Sequence, residues 1–224
     1  PIEPISLYAS YTRSFTPTIG QSADDEPFEP GRGTQYEIGV KADINDRLSA
    51  TLALYDLTRT NVNTTDPDNP GFEIQTGEQN SQGVELFVSG EILPGWNVIA
   101  GYAYTDARIT QDETYEVGNS VNNVAENTFN LWTSYEIQSG NLQGLGFGIG
   151  FFYVGDRQGD LDNSFTLPSF FRTDAAIFYN RDRFRASLNF NNLFDVDYFE
   201  SANDDLSVFP GEPFTVQGTL SWQF

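Results

Sequence analysis

The sequence predicts an all-β protein: a transmembrane antiparallel up-and-down β-barrel of about ten strands, with long extracellular loops and short periplasmic turns. Three observations predict it. Hydrophobicity alternates with a period of two through most of the chain. The links between alternating segments run long and short in turn, and the apolar faces end in aromatic residues.

The first segments fall at 5–14, 34–43 and 47–60. In the second, Tyr36, Ile38, Val40 and Ala42 oppose Gln35, Glu37, Gly39 and Lys41. Segments 79–91 and 96–108 follow, with Val84, Leu86 and Val88 set against Glu85, Phe87 and Ser89. Three more lie at 126–138, 145–155 and 169–180. In 183–193, Phe184, Ala186, Leu188 and Phe190 oppose Arg185, Ser187, Asn189 and Asn191. The last segment, 213–224, places Phe214, Val216, Leu220, Trp222 and Phe224 opposite Thr215, Gln217, Thr219, Ser221 and Gln223. Most segments reach the roughly 10 residues that a tilted strand needs to cross a bilayer. Leu52, Leu86, Leu188 and Leu220 are expected to face lipid, and Glu37, Glu85, Arg185 and Gln217 the lumen.

The links decide between a barrel and a soluble sandwich, which also alternates. Those at 15–33, 61–78, 109–125, 156–168 and 194–212 are long, and those at 44–46, 92–95, 139–144 and 181–182 are short. Spanning barrels require this order because each pair of strands returns through the same side of the membrane. A Greek-key sandwich has no reason to keep it. The short links carry turn residues, as in INDR at 44–47, LPGW at 93–96 and NRDR at 180–183. Trp96 beside a short turn, and Tyr102 and Tyr104 further along, have the ring-and-tip character of an interface residue.

Composition narrows the chemistry. The 224 residues carry 32 acidic and 11 basic side chains, a formal charge of −21, so a phosphate-backbone partner is excluded and no nucleic acid is expected. Without histidine or cysteine, a Ser-His-Asp triad, thiolate chemistry and a His-ligated zinc site are impossible within the chain. No run of about 18 apolar residues exists for a helical span, which says nothing against strands. The chain opens directly on a strand-like PIEPISLYAS and is read as one barrel segment, 1–224, from a longer precursor.

Particular strings carry a resemblance. YASYTRSFTP at 8–17, QYEIGVKAD at 35–43 and TLALYDLTRTNVNTTDPDNP at 51–70 look like strands of ferric-siderophore receptors. QNSQGVELFVSGEILPGWNVIAGYAYTDARI at 79–109 and NFNNLFDVDYF at 189–199 are closer still, the latter similar to an NLFD-x-x-Y element near the C-terminus. GEPFTVQGTLSWQF at 211–224 resembles the final strand, whose terminal aromatic is a signal for outer-membrane assembly. Taken in order, these strings resemble the C-terminal barrel of TonB-dependent outer-membrane receptors of the ferrichrome/hydroxamate type. The resemblance implies a bacterial outer-membrane location and a complete barrel of 22 strands with a plug domain and a TonB box. It further implies ferric-siderophore uptake driven by TonB, with lipid and lipopolysaccharide around the wall. Neither the plug nor the TonB box is represented in these residues, which would supply one wall of the lumen and five loops.

Aromatic residues in the long links are the best ligand candidates: Phe15, Phe28, Tyr115, Phe165 and Phe209. Siderophore pockets in the resembling family are aromatic-rich, although packing of loops on one another accounts for any single ring. The acidic loops (Asp24, Asp25, Glu26 and Glu29 in the first, for example) read as an anionic funnel or, more simply, as solvated surface. Asp66 and Asp68 in DPDNPG have calcium-like spacing without the distal Glu of an EF-hand, and a proline-rich turn is the simpler reading. Glu37 and Glu85 form no recognisable acid–base pair, so no catalytic residue, resident metal or cofactor is expected. The alternative to a receptor segment is a passive pore or structural barrel, in which the ten strands close alone and Tyr8, Phe87, Trp132 and Phe152 fill the interior.

Overall fold

The computed structural model describes residues 4–69 and 71–224. Ten long strands form one antiparallel sheet. They are β1 (Ile5–Thr16), β2 (Gly31–Asn45), β3 (Leu48–Thr65), β4 (Glu73–Leu93), β5 (Trp96–Gln111), β6 (Asn127–Glu136) and β7 (Leu145–Val154), then β10 (Phe170–Arg181), β11 (Phe184–Asn191) and β14 (Thr215–Trp222). Two hairpins, β8 (Arg157–Gln158) with β9 (Thr166–Leu167) and β12 (Phe199–Asp204) with β13 (Ser207–Pro210), stand in the links that follow β7 and β11. Sheet order follows chain order, so every connection joins neighbours and no strand crosses over. No helix occurs among the described residues. β1 and β14 each pair on one side only, which leaves the sheet open rather than closed on itself.

Residues directly opposite in an antiparallel pair share a face, so the registers can be followed around the wall. Leu7, Val40, Leu52, Leu86, Tyr102 and Phe129 form one continuous row. Its side chains are largely exposed, as an apolar face awaiting lipid must be. Aromatics band this face at two levels. Tyr11, Tyr36, Tyr102, Tyr104 and Tyr153 lie toward the long loops, and Trp96, Tyr135, Tyr179 and Trp222 toward the short turns. Their polar tips are engaged: Tyr102 donates to Asn127 Oδ1 at 2.8 Å and Trp96 Nε1 to Thr133 Oγ1 at 2.8 Å. Leu188 and Leu220 share the outer face, while Gln217 opposes Asn189 and Arg185 opposes Ser221 on the inner one.

The inner wall is polar with embedded rings, and the rings lie flat. Tyr8 covers Gly39, where a Cβ would come within 2.5 Å of the ring. Trp132 likewise covers Gly148 and Gly150, and Phe178 covers Gly146. Any larger residue beneath would push the ring off the wall. Tyr8, Phe87, Trp132 and Phe152 all face inward as expected. Tyr8 and Trp132, however, paper the wall rather than plugging a narrow barrel.

Several expected boundaries are corrected. β4 begins at Glu73 rather than 79, and β3 continues to Thr65, so the link expected at 61–78 shrinks to 66–72. At about 3.3 Å per residue the 21 residues of β4 extend roughly 70 Å, far beyond a tilted crossing. The β3–β4 hairpin therefore stands well above the membrane. The last strand begins at Thr215, and Phe224 lies beyond its end at Trp222. Short-turn chemistry holds: Gly95 has φ +82°, and a Cβ there would sit 2.4 Å from the Glu136 carbonyl. Pro70, within the DPDNPG string, lies outside the described residues.

Candidate functional site

The inner wall and the loops above it form the surface a ligand entering from outside would meet. Inward charges are held in local networks. Tyr8 donates to Glu37 Oε1 at 2.6 Å, Gln35 donates to Glu37 Oε2 at 2.9 Å, and Lys41 Nζ lies 5.1 Å from the centre of the Tyr8 ring. Nearer the last loop, Arg172 donates to Asp174 at 3.1 Å and to the Tyr198 hydroxyl at 3.1 Å. Its guanidinium stacks 4.8 Å from the Phe152 ring centre.

The string NNLFDVDY is a device for folding the base of that last loop. Asn192, 1% exposed, takes a left-handed backbone with φ 50°. Its backbone N–H donates to Asp174 Oδ1 at 2.8 Å. Its side-chain amide donates to the carbonyls of Val196 (2.9 Å) and Glu212 (3.0 Å) and accepts from Val196 N–H (2.9 Å). Asp195 accepts from Phe214 N–H at 2.8 Å, and Tyr198 stacks on Phe170 with centroids 4.3 Å apart. The first end of the loop is thus tied to β10, and the second end to the first.

Side-chain amides then join separate loops by mimicking a strand's paired N–H and C=O. Gln75 does so with Glu29, accepting at 2.7 Å and donating at 2.6 Å. Asn163 does so with Ser120 (2.8 and 2.9 Å), and Asn123 with Ala202 (2.8 and 2.7 Å). Thr64 donates to Asp112 at 2.9 Å, which links the outer end of β3 to the third long loop. Arg157, 4% exposed, donates to the carbonyls of Phe199 (2.6 Å) and Glu200 (3.0 Å) and lies 5.7 Å from the Phe170 ring centre. Burial lowers the pKa of this guanidinium, which stays charged because arginine starts so high. The β3–β4 hairpin and the other four long loops are in this way laced into a continuous crown.

The five expected ring residues are placed separately. Phe15 is not in a loop: β1 pairs through Thr16, so strand periodicity turns Phe15 outward with Leu7 and Tyr11. Phe28 packs on Gly20 and its N–H donates to the Gly20 carbonyl at 3.2 Å. Phe165 lies over Gly159 and closes the β8–β9 hairpin. The Tyr115 N–H donates to Asp112 at 3.0 Å, and its ring is half-buried. Phe209 sits on β13 opposite Ser201 and is exposed. No ring pair among the described residues joins two of them. Sequence reading missed the amides and Arg157, whose partners lie tens of residues away. Three of these amides, Asn123, Asn163 and Asn192, stand at positive φ, a backbone that asparagine tolerates and most residues avoid.

Asp66 closes the tip of the β3–β4 hairpin by accepting from Asp68 N–H (2.9 Å), Asn69 N–H (3.0 Å) and Asn69 Nδ2 (3.0 Å). The Asn69 side chain, helped by the two backbone N–H groups and opposed by burial, holds its pKa below the ordinary aspartate value. A depressed carboxylate stabilises the fold above its unfolded pKa and loses that contribution as pH falls through the lowered value. Hydrogen exchange of residues 66–72, corrected for intrinsic rate, is therefore expected to accelerate below about pH 4. Asp66→Asn should abolish that pH dependence; an unchanged profile in the variant would exclude Asp66 as its origin.

Comparison with known proteins gives this architecture a lineage. The sequence profile described as TonB dependent receptor-like, beta-barrel matches residues 1–193. The chain is 37% identical over 223 residues to the metal-pseudopaline receptor CntO of Pseudomonas aeruginosa, covering 98% of this chain and 32% of that protein. It is 36% identical to the ferrichrome outer membrane transporter/phage receptor of Escherichia coli K12, covering 98% of this chain and 30% of that one. The crystal structure of the siderophore receptor PiuA from Acinetobacter baumannii superposes with a TM-score of 0.82 at 29% identity, over 99% of this chain and 34% of that one. The chain thus spans about a third of the length of the relatives it matches. With its banded outer face, its short-turn and long-loop ends and this match through most of its length, the chain belongs to the TonB dependent receptor-like β-barrel family and is a segment of outer-membrane barrel wall.

Proposed function

We propose that these residues form the C-terminal, ligand-facing part of the barrel of a ferric-siderophore receptor, which imports its chelate when joined to its other strands, a plug domain and TonB. The observation that carries this reading is the sheet open at both edges beneath an interlocked crown. Unpaired strand edges inside hydrocarbon cost several kcal/mol per unsatisfied group, so the wall calls for further strands on both sides. A closed ten-strand pore lacks that support. The flat-lying inner rings likewise favour a wide lumen. Catalysis has no part in this reading, because Glu37, the obvious inward carboxylate, is already satisfied by Tyr8 and Gln35. Tyr115 and Phe209, whose rings are not laid over a glycine, are the loop aromatics this reading keeps for ligand contact.

The test is uptake. The complete receptor carrying this wall, expressed in a receptor-deficient strain, should accumulate radio-iron from a ferric siderophore, and a protonophore should stop it. The 224 residues expressed alone should accumulate none. Energy-dependent uptake by these residues alone would overturn the reading, as would a complete receptor that takes up no ferric chelate from a broad panel.

A further inference from the structure

We propose that Arg59, on the inner wall just under the crown, is the docking point for a carboxylate of an anionic metal chelate; this rests on the receptor reading and names a ligand class for it. Arg59 lies opposite Gly33 on one side and Gln79 on the other, in the inward-facing register of β3. A hollow of about 380 Å³ opens beside it. Its floor is Gly31 and Gly33, and a Cβ at Gly33 would come within 2.6 Å of the Ser14 hydroxyl, so a larger residue would fill the space. Ser14, Thr16 and Thr18 line it with hydroxyls, and neither Asp nor Glu does.

Arg59 stands outside the ion pairs, as do Arg13, Lys41, Arg181, Arg183 and Arg185. Arg32, Arg47, Arg108 and Arg172 are each matched to a carboxylate. Arg59 makes no ion pair among the described residues, in a chain of net charge −21. Immediately beyond it β3 bulges: the register with β4 slips between Arg59 and Val62, and Asn61 takes a left-handed backbone with φ 57°. Bulges of this kind re-aim side chains and gather near functional sites. Asn63, which also lines the hollow, has its Oδ1 shielded from solvent without a donor. A guanidinium fork fits a carboxylate bidentately, and the Asn63 oxygen asks for an O–H or N–H beside it. Together these features describe an oxygen-seeking seat in the path of an incoming chelate, whose nearest carboxylates, Glu29 and Glu73, are already held by Arg32, Asn61 and Asn63.

The experiment compares the complete receptor with its Arg59→Gln and Arg59→Lys variants, each purified, binding ferric citrate (carboxylate-bearing) and ferrichrome (neutral). The wild type should bind ferric citrate. Arg59→Gln should weaken that binding about tenfold or more at neutral pH, Arg59→Lys, which keeps the charge but not the planar fork, should recover only part of it, and ferrichrome binding should not change. If the wild type binds ferrichrome but not ferric citrate, the Arg59 inference fails while the receptor reading stands. Equal loss for both probes, or loss for neither, also overturns it. If Arg59→Gln still weakens ferric citrate binding in a receptor freed of its plug domain, the chelate is the partner of Arg59. Retention of Arg59 dependence only when an acidic plug residue is present assigns the seat to the plug and overturns the inference.

Discussion

Replacing Asn192 by Ala is expected to loosen the last extracellular loop more than any other single change at the crown. The side chain is fully enclosed and makes three hydrogen bonds, two to carbonyls and one from the Val196 N–H. Alanine leaves all three backbone groups without a partner in a place water does not reach. Each orphaned group costs about 1–3 kcal/mol, so a loss of about 3 kcal/mol or more is the reasonable sum. Alanine also suits the left-handed backbone at 192 less well than asparagine. The damage should be local. The loop carries Tyr198, Phe199 and Leu206, all chymotrypsin sites, and none should be cut readily in the folded wild-type receptor at the cell surface. In Asn192→Ala they should be cleaved, while the strands stay protected. Wild-type protease resistance in this variant would show that the ties from the Asn192 side chain to Val196 and Glu212 do not hold the loop.

This tie also marks where sequence legibility ends. Ten strands and their order were readable because lipid on one side and water on the other force a period of two, and because membrane crossing forces long and short links to alternate. Strand ends above the bilayer were not readable. From Glu73 to Gln79 β4 has Ile74 as its one large apolar residue, since both faces meet water, so no alternation marks it. The two loop hairpins are too short to show a period; β8 and β9 have two residues each. Phe15 was misplaced for a related reason, as the pairing of β1 with β2 outlasts its apolar pattern. The crown was invisible because its bonds join distant residues: Asn123 meets Ala202 79 positions later. NNLFDVDY stood out as a string, yet that it closes a loop base could only be seen once Asp174 and Glu212 were in place around Asn192.

The faces of the sheet should declare themselves most clearly at a pair of adjacent positions. Leu188 lies on the outer face opposite Ile177 and Gly218, and is exposed where lipid tails would cover it. Asn189, one residue on, faces inward opposite Ala176 and Gln217. Arginine at 188 must bring a guanidinium into hydrocarbon, which costs roughly 2–4 kcal/mol near the bilayer midplane and less toward the interfaces. The neighbouring Gly218 offers no polar group to receive it. Arginine at 189 joins a polar inner face already lined by Arg185 and Gln217, so its cost should be small. Folding the two variants of the complete receptor into lipid vesicles and titrating with urea separates the outcomes. Leu188→Arg should lower the unfolding free energy by the larger amount and Asn189→Arg should leave it near that of the wild type. Equal penalties would mean that the assigned faces are wrong. A larger penalty at 189 would mean they are reversed, and with them the inward placement of Arg59.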